Sequence, residues 1–494
     1  GVLLLLTTLC ASVFLFTPLA AATNVSGTIS QDTTWTAANS PYILISTVTV
    51  ASGVTLTVES GVTVRSSSAG IYVYGALNAS DAAFRSNYAS PGPGNWVGLL
   101  FKSGSSGTLD KVTVRYAGKS SGSYGSNGIC AESGTASLTV TDSEILDCSG
   151  NGVRSSSPSA LTVSGNTIAR CTSYGLRVTE PQQPVTIAGN TINECGGYAM
   201  SLSAGSTSTS DLARFPLAGA SNTISGNSPD AISLTGDVRS DWTLPDPGEG
   251  VAYVITSGIS VDAGATLTLA PGAVCKSSSG GIRVSGTLNA IGAGFTGLSD
   301  DTIGGNTAGG TPYAGQWLGI VFESGGSGTI LGSVVRYAGR NTYGNWSPDR
   351  GIYVDTNAAL EIHSSWISDN SGLAIASAGS SATVDATGNY WGSNDGPDPY
   401  GDGDGVPYAT LYDADGKPYI RTSFPVKPWI GMEASDGASN GYSPWCDTDG
   451  DPVNVATGNL VHELTDVSLP TRGLPLEVAR TYNSHLITDS PFGY

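Results

Sequence analysis

The sequence predicts an all-β fold, a parallel β-helix with about 23 residues per coil, and three observations carry that reading. A short unit recurs as ILDCSGNGV (145–153), IARCTSYGL (168–176), INECGGYAM (192–200) and ISDNSGLAI (367–375), and its three cysteines stand 23 and 24 residues apart. The whole pattern is also duplicated: GNWVGLLFKSGSSGTLDKVTVRYAG (94–118) returns as GQWLGIVFESGGSGTILGSVVRYAG (315–339). No segment keeps apolar residues at helical spacing over a dozen positions, and Gly and β-branched residues interrupt throughout. Three strands of about five residues and three turns fill one such period, so successive coils would stack in parallel and bury their inward side chains against each other.

Composition agrees with an ordered, turn-rich β protein: 67 Gly, 39% hydrophobic residues and only 12% charged. The net charge of −19 argues against nucleic acid or an anionic membrane as partner and suits divalent cations. Two Met and three His leave little material for a histidine-based metal site.

Along the chain, residues 1–22 read as an incomplete signal peptide: an apolar run from Val2 to Phe16, then Pro18 and small residues Ala20, Ala21 and Ala22. The run is shorter than the roughly 20 residues of a membrane span. The expectation is an exported protein, secreted or at the cell surface, with no stable membrane span in its mature form. Leu9 before Cys10 does not fit a lipoprotein signal, and Gly1 without a Met or a basic leader segment implies truncation.

Residues 23–240 form the first copy and 241–431 the second. TWTAANSPYILISTVTVASGVTLTVESGVTV (34–64) returns as DWTLPDPGEGVAYVITSGISVDAGATLTLAPGAV (241–274), and GIYVYGALNA (70–79) as GIRVSGTLNA (281–290). The aperiodic stretch 206–220 reads as a loop between the copies. Cys148, Cys171 and Cys195 are equivalent in consecutive coils, and Asn227 and Asn370 occupy the same slot. An inward ladder of small, semi-polar residues with unpaired thiols is one reading. A disulfide between adjacent rungs is the other, because six cysteines remain after the leader. The residues before the cysteines, Asp147, Arg170 and Glu194, alternate in sign and predict a surface ion-pair ladder of small energetic weight.

Residues 30–431 resemble the pectin-lyase-like β-helix repeats of bacterial surface proteins, which implies a right-handed helix. GNYWGSNDGP (388–397), GDGDGV (401–406) and FPVKPWI (424–430) resemble the motif that closes such helices. Enzymes that cut acidic polysaccharides share this fold, so a polysaccharide lyase or hydrolase is the rival to a non-catalytic role. Hydrolysis needs two carboxylates over one groove, and elimination needs an acidic Ca²⁺ cluster with a basic residue. Asp142, Asp147, Asp355, Asp369 and Asp385 are instead scattered singly, and there is neither a paired-Asp signature nor a Gly-His-Gly. Arg115 and Arg336 recur with the duplication, as structural residues do. No catalytic residue and no cofactor are therefore assigned.

Asp395, Asp398, Asp402 and Asp404 make an oxygen-rich, Gly-rich loop that suits Ca²⁺; a solvated turn is the competing reading. Asp413 with Asp415, and Asp447, Asp449 and Asp451, are similar. Trp96 and Trp317 are equivalent, as are Tyr116 and Tyr337, and read either as sugar-stacking platforms or as packing at a coil corner. Trp391 and Trp429 belong to the closing motif and to the core.

Residues 432–450 are a polar linker. In 451–494, Asp451-Pro452-Val453-Asn454, Thr457-Gly458-Asn459, Arg472-Gly473-Leu474-Pro475-Leu476 and Arg480-Thr481-Tyr482-Asn483-Ser484 resemble the entry segment of the Rhs or YD-repeat family. Read from residues alone, this tail is two or three strands with Pro/Gly turns. The resemblance implies a truncated start of a YD-repeat β region, whose downstream shell encloses a toxin in many members. It makes Tyr494 an artificial end. The expected function is a non-catalytic exported display module that contacts glycans or neighbouring cells, or presents a downstream toxin.

Overall fold

The computed structural model describes residues 22–430 apart from 121, 123–124, 206–209, 341–349, 379–380, 413–417 and 428. Beyond 430 it describes the backbone of three strands, Val453–Asn454, Asn459–Leu469 and Leu476–Asn483. The expected signal peptide and linker lie outside the described residues, as do the acidic pairs at 413–415 and 447–451.

One coil shows how the sequence makes the fold. Ser137–Thr141 runs along one face, Glu144–Leu146 along the next, Asn151–Ser156 along a third, and Leu161–Ser164 returns beside the start. Within Ser137–Thr141 the side chains alternate, Leu138 and Val140 inward and buried, Thr139 outward. The next coil pairs in parallel and keeps the cysteine spacing, with Leu138 beside Leu161, Ile145 beside Ile168 and Val153 beside Leu176. The period is local, however. The step from Leu56 to its partner Leu77 is shorter than this, and the step from Leu288 to its partner Gly328 is far longer. Insertions at the coil corners absorb the difference without disturbing the ladders.

The face that carries Asn151–Ser156 runs unbroken through fourteen strands, from Thr23–Ile29 to Leu373–Ser377, about 60 Å at the usual strand spacing. The ladder crosses the 240/241 boundary, because Ala231–Val238 pairs with Ala252–Val261. The two copies are one continuous stack.

Residues 210–220, within the expected loop between the copies, pack into the core. The face holding Ser137–Thr141 is split into seven- and six-stranded sheets at Thr186–Ala188 and Trp242–Leu244. A 3₁₀ turn, Leu212–Arg214, fills the missing rung, with Leu212 and Phe215 fully buried. Val185 N donates to Arg214 O (2.9 Å), and Trp242 Nε1 donates to Phe215 O (2.8 Å). The segment lacks strand periodicity, yet its apolar residues close the core.

The duplication also slips locally. Trp35 and Trp242 align in sequence, but Thr33 pairs with Leu56 while Trp242 pairs with the equivalent Leu267. The two tryptophans stand two positions apart in register, and a shift of two keeps a side chain on its face. Both are buried.

At the first rungs Trp35 stacks on Tyr42, with centroids 4.8 Å apart. At the other end Phe424, Val426 and Trp429 are buried against the last coil, with Ala386 N donating to Pro425 O and Ile430 N to Asn389 O. Trp429 lies on Gly396, where a Cβ would meet its ring at 2.3 Å. An antiparallel hairpin, Tyr408–Tyr412 with Pro418–Thr422, precedes this cap. In the tail, Asn459–Leu469 pairs antiparallel with Leu476–Asn483 and with Val453–Asn454.

Candidate functional site

The interior holds two polar ladders. Cys148, Cys171 and Cys195 are buried and free, as are Cys130 and Cys275. Each thiol of the series donates to the carbonyl two residues earlier, at 3.4, 3.7 and 3.5 Å. The thiols also bond one another: the bond with Cys148, with burial, holds Cys171 well above an ordinary thiol pKa, and the bond with Cys171 does the same for Cys195. Gly128, Gly152 and Gly175 leave room for them; a Cβ on Gly128 would lie 2.8 Å from Cys148 Sγ. The series continues in asparagine: Cys195 N donates to Asn227 Oδ1, and Ala338 N to Asn370 Oδ1. These are inert, internal groups.

The second ladder went unread in the sequence although GNTI was visible there. Asn166, Asn190 and Asn222 stack so that each Asn backbone N–H and side-chain NH₂ donates to the next Oδ1 (3.0–3.1 Å). The same NH₂ groups of Asn166 and Asn190 donate to Val140 O and Val163 O.

The structure does not gather the acidic loop. Asp395, Asp398 and Asp402 are exposed, while Asp404 turns inward to accept from Asn370 N and Nδ2, both 2.9 Å. Burial pushes its carboxyl up to about 6. Asp404 thus ends the Cys/Asn ladder, as Asp230 ends it beside Asn227 in the first copy. Among the described residues no group of three or more His, Cys, Asp or Glu is placed to hold a metal ion. The tryptophans are packing residues: Trp96 and Trp317 are 1% and 2% exposed, and their Nε1 groups donate to Arg115 O and Arg336 O, both at 2.9 Å. Of the scattered aspartates, Asp147 sits in the expected ion-pair ladder, 2.6 Å from Arg115 and 2.7 Å from Arg170, which also approaches Glu194 (3.8 Å).

The feature that stands out is outside the stack, on the face of Glu144–Leu146. Arg65 pairs in register with Arg85, and Arg115 follows in the next rung. These three point outward into a groove of about 510 Å³, rimmed by Tyr88 and Tyr116. The Arg115 guanidinium lies over the Tyr116 ring at 4.7 Å. The rim loop is pinned by Asn95, whose Oδ1 accepts from Ser86 Oγ (2.9 Å) and Gly92 N (2.7 Å). Beyond Arg115 the column continues in Leu146, Ala169 and Asn193, and the sign-alternating Asp147, Arg170 and Glu194 stand one residue further along. Among the described residues Arg65 and Arg85 have no carboxylate partner, and Arg65 Nε is buried without a hydrogen bond.

The second copy places Lys276, Thr296 and Arg336 at the same three positions. There a longer insertion folds over the face and supplies Asp300. Its Oδ2 accepts from Arg336 Nε (2.7 Å) and Thr296 Oγ1 (2.5 Å), and its backbone oxygen accepts from Lys276 Nζ (2.7 Å), which also donates to Gly305 O. Burial would raise the Asp300 carboxyl, but the hydrogen bonds from Thr296, Thr302 and Arg336 prevail and hold it below the usual range. Lys276, fully buried, is pushed down to about 8 by loss of solvent. Lys, Asp and Arg meet here on one coil face, but as a closed strut: Lys276 and Asp300 are wholly inaccessible.

Comparison with known proteins agrees with the fold. The family model described as a right-handed β-helix region matches residues 45–215, and a domain of unknown function, DUF6531, matches residues 450–494. Two solved structures, the periplasmic alginate epimerase AlgG and a point mutant of it, are similar at 13% identity. Each covers 69% of this chain; 76% and 77% of their own chains are covered, with TM-scores of 0.31 and 0.34. No protein with a curated description matches. The chain is a right-handed parallel β-helix followed by a segment, 450–494, that matches the DUF6531 model.

Proposed function

We propose that the chain is a non-catalytic, exported display module of an Rhs/YD-repeat protein, with the β-helix presenting a surface to glycans or neighbouring cells. One observation supports this most: an unbroken stack of about 60 Å leads through its closing motif toward a short β segment that matches DUF6531 and carries the Rhs-like motifs. A solenoid of this kind offers long lateral faces and binds along them rather than in one deep pocket. The rival reading, a polysaccharide lyase or hydrolase, requires an accessible acid or base. Lys276, Asp300 and Arg336, which meet on one coil face, are committed to internal bonds.

Two measurements test the proposal. Protease treatment of intact cells that express the full-length gene should remove the β-helix, whereas protection until lysis would sink export. Incubation of the purified chain with polygalacturonate, alginate and neutral glucans should yield no new reducing ends and no unsaturated products. Turnover of any of them would replace the display reading with the enzymatic one.

A further inference from the structure

We propose that the groove over Arg65, Arg85 and Arg115 is a binding site for a carboxylate-bearing polysaccharide, whose acid groups take the place that Asp300 occupies in the second copy. The inference rests on the display reading only in giving that surface a ligand.

Three of the chain's 21 basic residues stand on consecutive rungs about 4.8 Å apart, on a protein of net charge −19. Like charges directly opposite each other in a sheet are destabilising. On the next rung that problem is solved by Asp147, which follows Arg115's partner Leu146 and bridges Arg115 and Arg170. It is solved again in the second copy with Asp300, set against Arg336 and over Lys276. Among the described residues of this column, Arg65 and Arg85 have no carboxylate partner, and Arg65 Nε is a buried donor with no acceptor. An acceptor-rich anion would complement these guanidiniums.

The second copy shows what that anion is. Asp300 is a carboxylate delivered by a loop that the first copy lacks: the connection from Thr296 to Trp317 is about twice as long as the equivalent one from Arg85 to Trp96. Without the insertion, the first-copy groove is open, with Arg115 41% and Tyr88 50% exposed. A carboxylate from outside would find there a guanidinium at each of the three positions where Asp300 finds Arg336, Thr296 and Lys276. Arg is the side chain best shaped for bidentate carboxylate binding.

The rim selects the polymer. The apolar faces of pyranose rings suit Tyr88 and Tyr116, and the acid groups of a uronate chain suit the guanidiniums beneath them.

The test is binding of galacturonate oligomers to the full chain, measured by calorimetry at low and at physiological salt, with Arg85→Ala, Arg85→Lys and Arg177→Ala. Arg85 is exposed and unpartnered, so its removal should not unfold the stack; Arg177 is an exposed arginine on another face. Expected are salt-sensitive binding, a loss of roughly ten-fold or more in Arg85→Ala, a smaller loss in Arg85→Lys, and no change in Arg177→Ala. The proposal is overturned by no binding, by equal affinity in Arg85→Ala, or by preferential binding of sulfated dextran or of duplex DNA. Cleavage of the bound oligomer would leave this site standing while removing the display reading. Binding of neutral glycans alone would do the reverse.

Discussion

Replacing Asn190 by Ala should remove the middle rung of the asparagine ladder and nothing else. The side chain donates to Val163 O (2.9 Å) and Asn222 Oδ1 (3.0 Å), and it accepts from Asn166 N (3.1 Å) and Asn166 Nδ2 (3.0 Å). Asn190 and Asn166 are almost fully buried. Truncation removes four hydrogen bonds, and at about 1 kcal/mol for each the loss is about 4 kcal/mol. Because each coil is stabilised mainly by its neighbours, the loss should be local. Hydrogen exchange followed by mass spectrometry should show protection falling in peptides spanning 161–193 while Thr55–Val58 and Thr287–Ile291 keep theirs. Asn190→Ser should cost less, since Ser143 and Ser365 fill the same column natively and their hydroxyls accept a backbone N–H from the preceding rung. A loss below about 1 kcal/mol for Asn190→Ala, or an even loss along the whole stack, would refute the idea that this ladder holds the rungs together.

Other outcomes follow from the same geometry. Cys148, Cys171 and Cys195 should resist alkylation in the native protein and react only on unfolding, which intact-mass labelling kinetics will show; rapid labelling would contradict their burial. Asp300→Ala leaves the Arg336 charge without its carboxylate, while Lys276 keeps the backbone oxygen at 300, and should destabilise by about 3 kcal/mol or more in urea titrations, with local exposure around 296–316. Because the Asp300 carboxyl is held low, its contribution is present above the ordinary carboxyl range and fades as the pH falls through its depressed pKa. Asp404 behaves oppositely. Its raised pKa, about 6, makes the folded state bind the proton more tightly than the unfolded chain, so its favourable contribution is full below about pH 4 and lost as the pH rises through 6. Asp404→Asn should flatten that pH dependence, a difference of about 3 kcal/mol at most, while its amide oxygen still accepts from Asn370.

The sequence by itself determined what repeats locally. Inward Leu, Ile and Val alternate with Thr and Ser, and the regular spacing of Cys148, Cys171 and Cys195 sets the parallel register there. This happens because a coil must place the same side chain in the same slot to stack at all. The duplication placed Trp96 with Trp317 and Arg115 with Arg336, and the structure keeps those equivalences. Tertiary structure decided what depends on insertions and on contacts between coils. Coil length is not constant, short between Leu56 and Leu77 and long between Leu288 and Gly328, so Arg65, Arg85 and Arg115 come together across sequence gaps that show no period. Whether a basic column is open or neutralised depends on the length of one corner loop, and that is why Asp300 could not be assigned from its neighbours in sequence. Asp404 looked like a metal ligand in an acidic loop, yet the end of the ladder turned it inward to Asn370. Residues 210–220 of the aperiodic segment fill a rung because an open core has to be covered by whatever apolar residues the chain supplies there.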